Sequence, residues 1–337
     1  MERLSVLSSL RALAALMVCM YHAAFLFAEN FPQWVEVLDF GQEGVYVFFV
    51  ISGLVMPMAL EKMQYKPRDF GIFLLKRCLR LQPPLVLSAA VLTLLSYHQL
   101  KATDVSPALL FLGSATLTSP LFDLPFVNDI YWTLFVEMQY YIYIALLFPV
   151  LISPNRALRW IFTGGILMIS LSSIIIEGKW IKLALPFHLP VFLMGYFLFL
   201  YITKRVKQLE FALGIALCAV FCLVVTDYVH GLGYRITSVA LATTLVIAIF
   251  RDGPAWLNRI GEYSYSLYLF HWVFISCLSH YARPYLPGPW GSIMVYITIM
   301  VLSILGSKFF FSIIELPSLA WARKSENRFR KNSSEGR

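Results

Sequence analysis

The chain has 337 residues, 59% of them hydrophobic and only 14% charged, and its mean hydropathy of +0.71 excludes an ordinary soluble domain. Continuous apolar runs of about twenty residues recur along its length, which suits membrane-crossing helices and not the short alternating strands of a barrel. The expected fold is therefore all-α, a polytopic membrane bundle, and the net charge of +8 follows from cationic loops without any nucleic-acid partner.

Ten helices are predicted, at 7–27, 41–60, 72–97, 130–152, 159–176, 182–203, 210–228, 234–250, 263–281 and 290–316. The first holds LRALAALMVCMYHA, whose apolar run is broken by Arg11 and His22. Eleven residues make three helical turns, about 16 Å of rise, so the two share a face. Its length and the lack of a small-residue cleavage site argue against a signal peptide. A charge at bilayer depth costs several kcal/mol unless it faces protein or a water-filled cavity. The following loop is acidic, with Glu29, Glu36, Asp39 and Glu43. The second helix, GVYVFFVISGLVM, carries Gly44, Ser52 and Gly53, small residues that let backbones approach closely. Val50 there excludes the GxSG nucleophile of an intramembrane serine protease.

The third helix opens with FLLKRCLRLQPPL. Arg77 and Arg80 stand at i, i+3 with Lys76 beside them, either a phosphate clamp or ordinary positive-inside charge. Pro83 and Pro84 are expected to kink it and free carbonyls. The segment 106–119 is too short to span and is read as re-entrant or superficial. In the fourth helix, NDIYWTLFVEMQYYIY, Trp132 marks an interface, and Thr133, Glu137, Tyr140 and Tyr141 share a face. Glu137 either lines a cavity or pairs with a neighbouring helix. The ninth helix aligns Ser264, Tyr268 and His271 on one face, and His271 is read as a hydrogen-bonding residue between helices. His188, between prolines, is ambiguous.

Lys and Arg crowd the loops 61–80, 153–159, 204–208 and 251–259 and the segment after Trp321, which places both termini in the cytoplasm. His22 and Glu137 then lie near the outer ends of their helices, each at a depth suited to a cavity open to the outside. The basic segment after the last helix suits anionic membrane lipid. The five cysteines lie in or beside apolar runs without a CxxC pair and are read as core residues, with no disulfide framework and no metal site. No internal repeat is visible. The expected organisation is one transmembrane domain over 1–320 and a basic cytoplasmic tail over 321–337.

In this order the motifs resemble the acyltransferase-3 family of membrane O-acyltransferases. Arg11 and His22 match its Arg-x10-His, GVYVFFVISG its second-helix run, RCLRLQP at 77–83 its Arg-x-x-Arg motif, and WTLFVE at 132–137 its Trp-Thr-Leu-x-x-Glu. SYSLYLFH at 264–271 and Glu-x-Pro at 315–317 complete the series. The resemblance is to the stand-alone branch, without an appended extracytoplasmic hydrolase-like domain. It implies transfer of an acyl group, usually acetyl, from cytoplasmic acetyl-CoA to a hydroxyl of an extracytoplasmic glycan at a bacterial inner (plasma) membrane. Lipopolysaccharide, exopolysaccharide and lipid-linked oligosaccharide are the acceptor classes.

On this reading His22 is the general base, and Glu137 either orients the imidazole or contacts the sugar. Arg77, Arg80 and Lys76 hold the donor's phosphates, and Arg11 is a counter-ion or a donor-binding residue. Ser52, Trp132, Tyr140, Tyr268 and His271 are candidate substrate contacts. No metal is required, and direct transfer and an acyl-histidine route both stay open. A transporter or flippase for a lipid-linked sugar would also need intramembrane Arg, His and Glu, but it would not account for the ordered motifs or the paired arginines.

Overall fold

The computed structural model describes residues 4–25, 28–101, 104–175 and 183–335, and these contain helices and turns but no strand. In chain order the helices are α1 (Ser5–Ala24), α2 (Pro32–Leu38), α3 (Gly44–Lys62), α4 (Phe70–Leu95), α5 (Tyr97–Lys101), α6 (Pro107–Ala115), α7 (Tyr131–Leu151) and α8 (Arg156–Ser172). They continue with α9 (Leu185–Ile202), α10 (Gln208–His230), α11 (Gly233–Ile249), α12 (Ala255–Glu262), α13 (Ser264–Tyr281), α14 (Gly288–Phe310) and α15 (Leu316–Glu335). All ten expected helices form, as α1, α3, α4, α7 to α11, α13 and α14. Residues 26 and 27 of the first predicted helix, residue 176 of the fifth and residue 182 of the sixth lie outside the described residues.

Among the described residues seven helices are long and apolar enough to cross a membrane: α1, α3, α4, α7, α9, α10 and α14. α11 is apolar but shorter, at 17 residues. α14 shows what a lipid-facing surface requires. Trp290, Met294, Ile297, Val301, Leu305 and Phe309 recur every three or four residues and are all exposed. Such a stripe is an aggregation surface in water and an ordinary one against lipid tails. The protein is a multi-pass membrane protein.

α6 is nine residues long, about 13 Å at 1.5 Å per residue, less than half of a bilayer core. The predicted boundary at 320/321 falls inside α15, because polarity reports burial and not helicity: Ala, Arg, Lys and Glu are good helix formers. Residues 336 and 337 of the predicted tail lie outside the described residues.

The fold divides into two compact units. The first takes the described residues of 1–11, 43–73 and 133–258. Its centre is α9, which packs against α3, α8, α10 and α11 and is buried over almost its whole length. A helix apolar on every side needs such a surround. α3 and α9 cross at Gly53 and Gly195, where an added Cβ would lie 2.1 Å from Phe192 O and 2.1 Å from Val50 O respectively. The small residues flagged in the second helix thus serve backbone contact. Glu43, read above as a loop acid, is instead fully buried at the start of α3 and pairs with Arg235 of α11 at 2.9 Å. Gln139 of α7 ties down the entry to α9, donating to Leu183 O at 2.8 Å and accepting from Leu185 N–H at 3.1 Å.

The second unit takes 12–42, 74–132 and the described residues of 259–337. α13 and α14 pack side by side, with Phe270 and Phe310 stacked at 3.9 Å between centroids. Ala23 of α1 joins Ile275, Val295 and Ile299 in the adjoining core. α14 reaches α15 through a wide π turn, Phe311–Glu315. Pro317 explains it: a helical proline lacks its N–H and crowds the carbonyl four residues back, and one extra residue in the turn relieves both.

Candidate active site

The polar residues of SYSLYLFH make α13 the hub of the second unit. Tyr265 Oη donates to Leu81 O at 2.8 Å, beside the Pro83-Pro84 step of α4. Farther along α4, Ser88 Oγ donates to Leu269 O at 3.1 Å and lies 2.8 Å from Tyr131 Oη. Tyr268 Oη donates to Ile130 O at 3.0 Å, two residues before Trp132. Ser266 donates both its N–H and its Oγ–H to Glu315 Oε2, at 3.2 and 2.6 Å. That carboxylate sits on the open amides of the first turn of α13, the electropositive end of the helix.

His271 makes the contact of most chemical interest. Its Nε2 lies 3.0 Å from His22 Nδ1, and its own Nδ1 lies 3.1 Å from Leu267 O one turn earlier. His271 is fully buried, whereas His22 is half-buried. Trp272 meets the His22 ring edge-on at 4.8 Å, and Tyr21 lies 4.9 Å from it. The imidazole is thus fixed by a hydrogen bond on one nitrogen and by aromatic walls, with part of its surface open.

Arg77 and Arg80 occupy one face of α4, with Lys76 next to them. Arg77 is buried, 8% exposed; Arg80 is half-buried, and its Nε has no hydrogen-bond partner among the described groups. A proline at 83 and another at 84 deprive Leu79 O and Arg80 O of their usual helical donors. The expected kink motif therefore coincides with the expected phosphate clamp.

In the first unit Glu137 of α7 is half-buried and accepts a hydrogen bond from Ser52 Oγ of α3 at 2.7 Å. Two of the site residues read from sequence therefore meet. Tyr140, one turn on, is buried and stacks on Phe192 at 4.0 Å, and its hydroxyl has no hydrogen-bond partner among the described groups. Arg11 lies on α1 and is half-buried.

Among the expected substrate contacts, Tyr268 and His271 are engaged with protein. Trp132 is half-buried on the first turn of α7. Residues that sequence reasoning left without a role are Glu315, Ser266, Ser88 and Asn128. The Glu-x-Pro spelling was a signal for Glu315, since the proline makes the turn that brings it inward. Asn128 is buried and accepts from Ile130 N–H at 3.2 Å, a local turn that its position before YWTL could have announced. The five cysteines are free thiols. No cluster of His, Cys, Asp and Glu suited to a metal ion occurs among the described residues.

A family model described as an acyltransferase domain matches residues 6–311, which takes in every motif named above except the closing Glu-x-Pro. No curated protein and no solved structure matches the chain. With a paired histidine and a paired serine–carboxylate in its helices and the family's domain across most of its length, the chain belongs to the acyltransferase-3 family and is a membrane acyltransferase.

Proposed function

We propose that the protein transfers an acetyl group from acetyl-CoA to a hydroxyl of an extracytoplasmic glycan at a bacterial inner membrane. The acceptor is a lipopolysaccharide, exopolysaccharide or lipid-linked oligosaccharide. The observation that carries this reading is the His22–His271 pair: a partly buried histidine whose Nδ1 is held at 3.0 Å. An imidazole has an ordinary pKa of about 6.5 and suits proton transfer near neutrality.

The step proposed is direct. His22 Nε2 takes the proton of the acceptor hydroxyl as its oxygen attacks the thioester carbonyl. The C–S bond then breaks, and the departing sulfur takes the proton from the imidazolium. The products are the O-acetyl ester and CoA thiol, with no net proton change. Arg77, Arg80 and Lys76 hold the donor's phosphates, for which a guanidinium pair on one face is suited, and Arg11 is assigned to the donor as a second cation. Glu137 already accepts from Ser52, and with Trp132 and Tyr140 it is assigned to the sugar.

The test is binding of acetyl-CoA and CoA to the purified full chain in detergent. Wild type and His22→Ala are expected to bind, and Arg77→Ala/Arg80→Ala is expected to lose binding at least tenfold. A folded wild-type protein that binds neither ligand would overturn the reading and favour transport of a lipid-linked sugar.

A further inference from the structure

The hydrogen-bond chain through His271 decides which nitrogen of His22 is basic. A carbonyl oxygen only accepts, so the 3.1 Å contact between His271 Nδ1 and Leu267 O requires the proton on Nδ1. Neutral His271 then has a bare Nε2. The 3.0 Å contact from that atom to His22 Nδ1 is a hydrogen bond only if His22 Nδ1 carries a proton. Neutral His22 consequently has its lone pair on Nε2. The reverse assignment sets two acceptors, His271 Nδ1 and Leu267 O, against each other at a residue with no solvent exposure. It would also leave His22 with an Nε2–H, which cannot take a proton from a hydroxyl.

We infer that His271 is a positioning residue. Through Leu267 O it imposes the Nδ1–H tautomer on His22 and leaves Nε2 as the proton acceptor, an inference that rests on the reading of His22 as the base. When His22 takes a proton, the same Nδ1–H becomes a charged donor to His271 Nε2, and the bond strengthens. His271 therefore acts on the transition state more than on the bound substrate, and its loss shows in kcat and not in KM.

Three substitutions separate this role from simple packing. A Gln side chain can place its amide oxygen where His271 Nε2 stands and so accept from His22 Nδ1. Asn reaches only to the region of Nδ1, and Leu fills space without accepting. Membrane vesicles from cells producing the full chain would receive [14C]acetyl-CoA, with label counted in the extracted glycan. His271→Asn and His271→Leu are expected to lose roughly 100-fold or more in kcat at unchanged KM for acetyl-CoA, the scale of a disabled general base. His271→Gln is expected to stay within about tenfold of wild type, since an uncharged hydrogen bond is restored.

Turnover by the Leu and Asn variants at the wild-type rate, with His22→Ala inactive, overturns the inference. The tautomer is also read without turnover, by NMR of 15N-histidine-labelled full chain in detergent, His22 being assigned by its absence in His22→Ala. A protonated Nδ1 and bare Nε2 on wild-type His22 support the inference, and the opposite tautomer sinks it even if no His271 variant folds. An active His22→Ala would instead overturn the reading of His22 as the base on which this inference rests, a failure distinct from the opposite tautomer on wild-type His22.

Discussion

Replacing Gly53 with alanine is expected to damage stability and transfer together. The new Cβ would lie 2.1 Å from Phe192 O and 3.0 Å from Gly195 Cα, where ordinary contact begins at 3.4 Å. Both obstacles are backbone, so no side chain can rotate away, and α3 must back off from α9 by an ångström or so. Overpacking costs typically about 1–3 kcal/mol, and a clash against rigid backbone belongs at the upper end. Ser52 precedes Gly53 and holds Glu137 at 2.7 Å, so the same displacement lengthens that hydrogen bond. Gly195→Ala acts at the same crossing; once the helices have parted the second methyl costs less, so the double variant should lose less than the sum of the singles. Gly165 on α8 has open space around its missing Cβ and serves as the control. Gly165→Ala should be neutral or stabilising by about 0.5–1 kcal/mol, because alanine restricts the unfolded chain. Denaturant unfolding in mixed micelles and acetyl incorporation in membranes would be measured in parallel. A Gly53→Ala protein with the wild-type midpoint and activity would refute the claim that α3 and α9 meet backbone to backbone.

Ser52→Ala removes one hydrogen bond from Glu137 and should lower acetyl incorporation by about fivefold, near 1 kcal/mol, with protein abundance unchanged. Arg235→Ala leaves the fully buried Glu43 without its 2.9 Å ion-pair partner and should destabilise by about 3–5 kcal/mol. Glu43→Gln with Arg235→Met should recover much of that loss, as thermal denaturation in detergent would show. Glu315→Ala strips two hydrogen bonds from the first turn of α13 and should cost about 2–3 kcal/mol, whereas Glu315→Gln should retain most of the stability because its amide oxygen still accepts.

The helices were legible because a bilayer core leaves one economical solution for the backbone, and the apolar run lengths state it directly. The Arg-x10-His and Trp-Thr-Leu-x-x-Glu spellings drew attention to Arg11, His22 and Glu137 because a charge or imidazole among leucines needs a cause. Partners were much less legible. Glu43 looked like a loop acid because its neighbours Gln42, Asp39 and Glu36 are polar, and nothing local announces that Arg235, far along the chain, returns to meet it. His271 was seen as a bonding residue between helices, but spacing within one helix gives no information about which other helix it faces. The wheel of α13 placed Ser264, Tyr268 and His271 on a common side. The distinct partners of Tyr268 and His271 could come only from the tertiary fold.

Those partners also divide the polar residues of α13 by function. In a bilayer an exposed or loosened carbonyl has no water to bond with, so the structure must supply donors from within. Tyr265 gives its hydroxyl to Leu81 O beside the proline step, Tyr268 to Ile130 O at the entry to α7, and Ser266 caps through Glu315 the amides at its own helix start. Each of these bonds satisfies a protein group. The histidine chain differs: it begins at Leu267 O, passes through both nitrogens of His271, and reaches only one nitrogen of His22. The second nitrogen, on a ring that is half-buried and not sealed, is the single basic atom that this network orients without using.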